Sequence, residues 1–283
     1  MNRSKFLLGL STVVIALSMV VFIVSCNKKK NDTTPTTTTE DTGYATDHAV
    51  AEQSFNDVQS ISDQASTVTS GGSLGYKMSS CATVTHTTTT SGGTITVDFG
   101  PTNCLCADGR YRRGKIIVNY TGAYADSGST HTITFDSYYQ NDNQITGTKT
   151  VTNMGHNSSG QPYFNVTIVG SVIRSTGATI TTNWTRVRTW TAGYTTLGDR
   201  SDDVYSISGT GTLTRTGGTV TVTIPTATPL VVALNCHWIE AGTVNYALPS
   251  GLTRSLNYGN TPVCDNIATV TLPSGTVITI TLP

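Results

Sequence analysis

From about residue 82 to the C-terminus, apolar residues alternate with Thr, Ser or Asn at a period of two. The clearest runs are "GKIIVNY" (114–120), "HTITFDSYY" (131–139), "YFNVTIV" (163–169), "ATITTNWTRVRTW" (178–190), "DVYSISGTGTLTRT" (203–216), "TVTVTI" (219–224) and "TVITITL" (276–282). Successive side chains on a strand point to opposite sides, so each run predicts a strand with one buried and one wet face. Turn signals separate the runs: "SGG" at 91–93, "NDN" at 141–143, "NSSG" at 157–160, "TGG" at 216–218, and "LPSG" at 248–251 and again at 272–275. The intervals leave no room for helical crossovers, so neighbouring strands must be antiparallel. The expected fold is all-β, a long antiparallel meander folded into a sandwich or barrel-like sheet.

Upstream the period changes. In "TDHAVAEQSFNDVQSISDQAS" (46–66), Ala51, Phe55, Val58, Ile61 and Ala65 form one apolar stripe at helical spacing, with Thr46 or Asp47 as N-cap. This single N-terminal helix should pack on the sheet through that stripe. Residues 26–44 are polar and Thr-rich without periodicity, which predicts a flexible tether. Residues 1–25 have the layout of a signal peptide, with Arg3 and Lys5 ahead of an apolar run from Phe6 to Val24. Ile23-Val24-Ser25-Cys26 resembles the lipobox of bacterial lipoproteins, which implies a diacylglycerol thioether on Cys26 and cleavage before it. More than one acyl chain on that residue makes anchoring stable, because each buried methylene contributes about 0.8 kcal/mol. The expected organisation is therefore signal peptide 1–25, lipidated tether 26–44, and a helix-plus-β domain 45–283.

Asn27, in place of the aspartate of inner-membrane retention signals, points to delivery to the outer membrane. The stretch after Cys26 is "NKKKND", not the acidic run typical of surface export in Bacteroidota. The periplasmic face is expected, with the cell surface as the alternative.

Composition supports the sheet and excludes some partners. The chain has 55 threonines, a β-branched type suited to the wet face of strands. Charged residues make up 12%, about half the usual share of soluble domains. Without Arg3 and Lys5 the mature chain carries 15 basic against 17 acidic residues, so a nucleic-acid partner is not expected. Five cysteines follow Cys26, and an exported chain is expected to oxidise them. Chain proximity suggests Cys81 with Cys104 or Cys106, and Cys236 with Cys264, leaving one thiol over.

No catalytic motif, cofactor fingerprint or metal-ligand spacing is present, so catalytic residues, cofactor and metal are all expected to be none. The five histidines, His48, His86, His131, His156 and His237, are scattered along the chain. Glu240 would need a second carboxylate across a cleft for glycoside chemistry, and Asp98, Asp136, Asp202 and Asp203 are the available acids. The sharper constellation is "NWTRVRTW", whose alternation puts Trp184, Arg186, Arg188 and Trp190 on one strand face. Two readings follow: a cation–π ladder stiffening the outer side of a long strand, or a platform for sugar rings, which Trp238 could extend. Expected partners are the membrane, through the lipid anchor, and a polysaccharide or envelope protein.

The blocks "TITVDFGPTNCLCADGRYRRGKIIVNYTG", "GTKTVTNMG", "DDVYSISGT", "ALNCHWIEAGTV" and "LNYGNTPVCDNIATVTL" resemble those of the uncharacterised all-β lipoproteins of the Bacteroidota. The likeness spans about 45–283 and implies the same fold and a Cys236–Cys264 pairing. It implies no activity, and the extra cysteine of "CLC" leaves the partner of Cys81 open between Cys104 and Cys106.

Overall fold

A computed structural model of the protein describes residues 38–67, 81–196 and 199–282. The segments read as signal peptide, lipobox (Ile23–Cys26) and tether, up to residue 37, lie outside the described residues. Helix α1 (Thr38–Thr67) leads into fifteen strands. These are β1 (Thr83–Thr89), β2 (Gly92–Asp98), β3 (Cys104–Leu105), β4 (Tyr111–Tyr120), β5 (Thr130–Gln140), β6 (Asn143–His156), β7 (Pro162–Ile173) and β8 (Thr179–Ala192). There follow β9 (Val204–Arg215), β10 (Gly218–Ile224), β11 (Leu230–Ala233), β12 (Thr243–Ala247), β13 (Thr253–Asn257), β14 (Ile267–Thr271) and β15 (Val277–Thr281).

All fifteen belong to one antiparallel sheet, and spatial order follows chain order except at two places. β3 pairs with the start of β4 and continues the line of β2, while β11 pairs with the start of β9 and continues the line of β10. The sheet does not close into a barrel: β1 and β15 end its hydrogen-bonded order. The turns fall at the expected breaks. Asn141 and Asp142 join β5 to β6 with φ of 49° and 62°, the left-handed pair that suits a tight hairpin.

The relation of helix to sheet departs from the apolar-stripe expectation. Ala51, Phe55, Val58, Ile61 and Ala65 are fully buried, but so are His48, Glu52, Asp57, Gln59, Ser62 and Asp63 on other sides. None of residues 42–66 is exposed, because the sheet curves around α1 and buries it on every side. The helix also starts at Thr38, inside the stretch read as tether, so Thr46 and Asp47 are interior positions, not caps. Gly43 lies within the helix where it meets β9, and a Cβ there would stand 2.5 Å from the Arg215 guanidinium.

Bulges supply the curvature. At Gly114 (φ 81°) the β4–β5 register shifts, and a Cβ there would strike the Ser137 carbonyl across the ladder. Further register shifts fall between Ile133 and Tyr139 and between Trp190 and Ala192. α1 runs in the same sense as β8. Asp47 near its start pairs with Arg174 (2.6 Å) and Arg215 (2.7 Å), while Asp63 near its end pairs with Arg188 (3.1 Å).

Candidate functional site

β8 alternates strictly, and the side chains of Trp184, Arg186, Arg188 and Trp190 do share one face. It is the inner face. All four are buried, at 1, 2, 5 and 3% exposure, so neither an outer ladder nor a surface sugar platform exists on this strand. The outward positions are Thr179, Thr181, Asn183, Thr185 and Val187. Arginines can face inward because α1 supplies their counter-charges, which strand periodicity cannot reveal. Arg186 meets Glu52 at 3.4 Å and lies 4.7 Å over the Trp184 ring. Arg188 donates to Asp63 at 3.1 Å and to the Tyr124 hydroxyl at 2.7 Å.

The same logic recurs around the helix. Asp57 accepts from Arg110 (2.6 Å) and Arg112 (2.7 Å), and Arg112 also donates to Asp108 at 2.6 Å. Lys149, on β6, donates to the Phe55 carbonyl at 2.9 Å. Burial, reinforced by the nearby Arg188 charge, pulls its ammonium down to about 7. His48 is held neutral, since burial and then Arg186 push its pKa well below the usual value. Its 3.5 Å approach to Glu52 is therefore not an ion pair.

Near the end of α1 the aromatic side chains line an open pocket of about 440 Å³. Its walls include Tyr120, Tyr124, His131, Trp190, Arg200 and Ile95. The β4–β5 register sets Tyr120 opposite His131, and the two rings stack at 5.7 Å with 30° between planes. Tyr124 meets His131 edge-on at 5.2 Å. His131 Nε2 lies 3.3 Å from the Gly122 carbonyl, which can only accept, so Nε2 carries the proton. Burial lowers the His131 pKa and favours the neutral ring.

Trp190 is fixed by Asp203, which accepts from its Nε1 at 3.2 Å and from Arg200 at 3.2 Å on the other oxygen. Burial raises the Asp203 carboxyl to about 6. A second cavity beside Arg110 and Gln140 measures about 100 Å³, and a third beneath Trp238 about 30 Å³. These have room for a few waters. The 440 Å³ pocket lies within the range of small-ligand sites, and its walls come from β1, β2, β4, β5 and β8, the β4–β5 and β8–β9 connections and the end of α1.

The chain matches no family model, no curated protein and no solved structure.

The remaining sequence candidates separate. Cys81 bonds Cys104 and Cys236 bonds Cys264, with Cα distances of 5.6 and 5.7 Å, and Cys106 is a buried free thiol. Between the two partners left open for Cys81, Cys104 is therefore the one taken. Glu240 stands with Cys236 and Cys264, their ligand atoms within 4.8 Å of one another. The two sulfurs are spent on each other as a disulfide, so no thiolate remains there for a metal. Asp98 pairs with Lys115 at 3.2 Å on neighbouring strands, and Asp202 accepts from Thr196 at 2.6 Å. Asp203 is committed to Trp190 and Arg200. Trp238 lines the smallest of the three cavities with His237. Of the Trp/Arg set only Trp190 reaches the large cavity. Tyr124 and Arg200 were missed because they lie in connections without periodicity. The Tyr120–His131 pair had a readable signal, as aromatic residues flanking the loop "TGAYADSGST".

Proposed function

We propose that the protein is a lipid-anchored, non-enzymatic binding module of the outer membrane. Cys26 carries the acyl chains, and the cavity near the end of α1 receives a small ring-bearing ligand. The anchor rests on the Ile23–Cys26 lipobox and on the resemblance to Bacteroidota lipoproteins. The binding role rests on one observation, a cavity of about 440 Å³ walled by Tyr120, Tyr124, His131, Trp190 and Arg200. Such walls offer large apolar faces with few polar groups, the usual make-up of a ligand site.

Two measurements test the reading. Cells grown with radiolabelled palmitate are expected to label the full-length protein and not its Cys26→Ala variant. Equal labelling of the two, or no labelling of the unaltered protein, refutes the anchor. For the site, a library of small ring compounds is screened by thermal shift, and hits should be lost in Ala125→Trp. Ala125 is exposed at the cavity wall, so an indole there fills the cavity without touching the buried ion pairs. Hits that persist in this variant place binding elsewhere.

A further inference from the structure

Arg188, Tyr205, Trp190 and Arg200 form a connected cation–aromatic cluster. The Arg188 guanidinium carbon lies 3.4 Å from the Tyr205 ring centroid, in van der Waals contact with one face. Trp190 stacks on Tyr205 at 5.5 Å with 23° between planes. Arg200 lies 5.0 Å over the Trp190 ring. Asp203 ties the cluster together by accepting from the indole N–H, the Arg200 guanidinium and the Tyr205 hydroxyl. Trp190 and Arg200 both line the cavity, so this cation–aromatic cluster reaches it.

We propose that the ligand is a planar, uncharged or anionic aromatic ring that stacks on the Arg200 guanidinium beside Trp190. The inference rests on the cavity being the ligand site. A guanidinium is planar and weakly hydrated and stacks on aromatic faces, a preference that neither a saturated sugar ring nor an acyl chain can meet. The positive charge of Arg200 disfavours organic cations. Tyr120, Tyr124 and His131 present rings in differing orientations along the walls, which suits edge and face contacts to one flat guest. The volume suits a one- or two-ring system.

The test is calorimetric titration of full-length, detergent-solubilised protein, against a micelle blank, with four probes: 2-naphthol, its saturated analogue decahydro-2-naphthol, methyl glucoside and decanoate. The expected result is that 2-naphthol binds at least ten times more tightly than the other three. Arg200→Met should erase that ratio while leaving decahydro-2-naphthol unchanged, and Arg200→Lys should not restore it, because an ammonium has no plane. Should either variant unfold, the ratio between the two naphthols on the unaltered protein decides alone. Equal or tighter binding of decahydro-2-naphthol, the glucoside or decanoate overturns the aromatic ligand but leaves the cavity as a site. Absence of binding by all four probes overturns both.

Discussion

A lysine surrounded by protein on every side is an unusual component for a β-domain, and Lys149 has a measurable signature. Its ammonium is pulled down to about 7, whereas an unfolded lysine titrates near its ordinary 10.5. Between those values the unfolded chain binds more protons than the folded one, so this group makes stability rise with pH over that window. Urea unfolding from pH 7 to 10 should show the rise, and Lys149→Met should flatten it. A wild-type profile flat over this range would contradict the assignment. This residue also shows what the sequence hid. It stands in "GTKTVTN" as one more polar strand position, and the groups that draw it inward, the Phe55 carbonyl and the Glu52 and Asp63 carboxylates, all belong to the helix. The inward arginines at 186 and 188 were legible as a pair on one face, but not as to which face, because their counter-ions lie more than a hundred residues away on α1.

At the scale of elements, the strands and turns were written locally and the helix was not. Period-two alternation and Gly or Asn at tight turns are properties of a few adjacent residues, so the hairpins could be read directly. The burial of α1 depends on contacts with strands from β2 to β15, which no local pattern announces. At Gly170 on β7 a Cβ would stand 2.5 Å from the Thr146 carbonyl of β6 and 2.8 Å from the Phe55 ring of α1. Gly170→Ala should therefore lower stability by about 1–3 kcal/mol through overpacking. Part of that loss should return in the Gly170→Ala, Phe55→Leu double variant, read by urea denaturation. Simple additivity of the two changes would show that Phe55 is not what limits the approach. The cavity falls between these cases, since its Tyr120–His131 pair follows from hairpin register but Arg200 comes from a connection that no periodicity marks.

For the whole molecule, α1 takes the place that a second sheet occupies in a sandwich. The inner face of the sheet packs on one helix and is neutralised by its acids, so the strands have no core without it. A chain starting at residue 81, which keeps Cys81 for its bond to Cys104, should fail to give the cooperative thermal transition of the full protein, as followed by circular dichroism. A cooperative transition in the truncated chain would show that the sheet folds on its own. The arrangement also sets how the domain meets force. Any tension arriving through the chain before Thr38 enters along α1, which lies inside the sheet and runs with β8. The load is then shared in shear by the ion pairs of Asp47, Glu52, Asp57 and Asp63 with strands on several sides, instead of peeling one edge strand at a time. A protein held by its N-terminus is thus gripped from its centre, and pulling it open means drawing out the axle on which the whole sheet is wound.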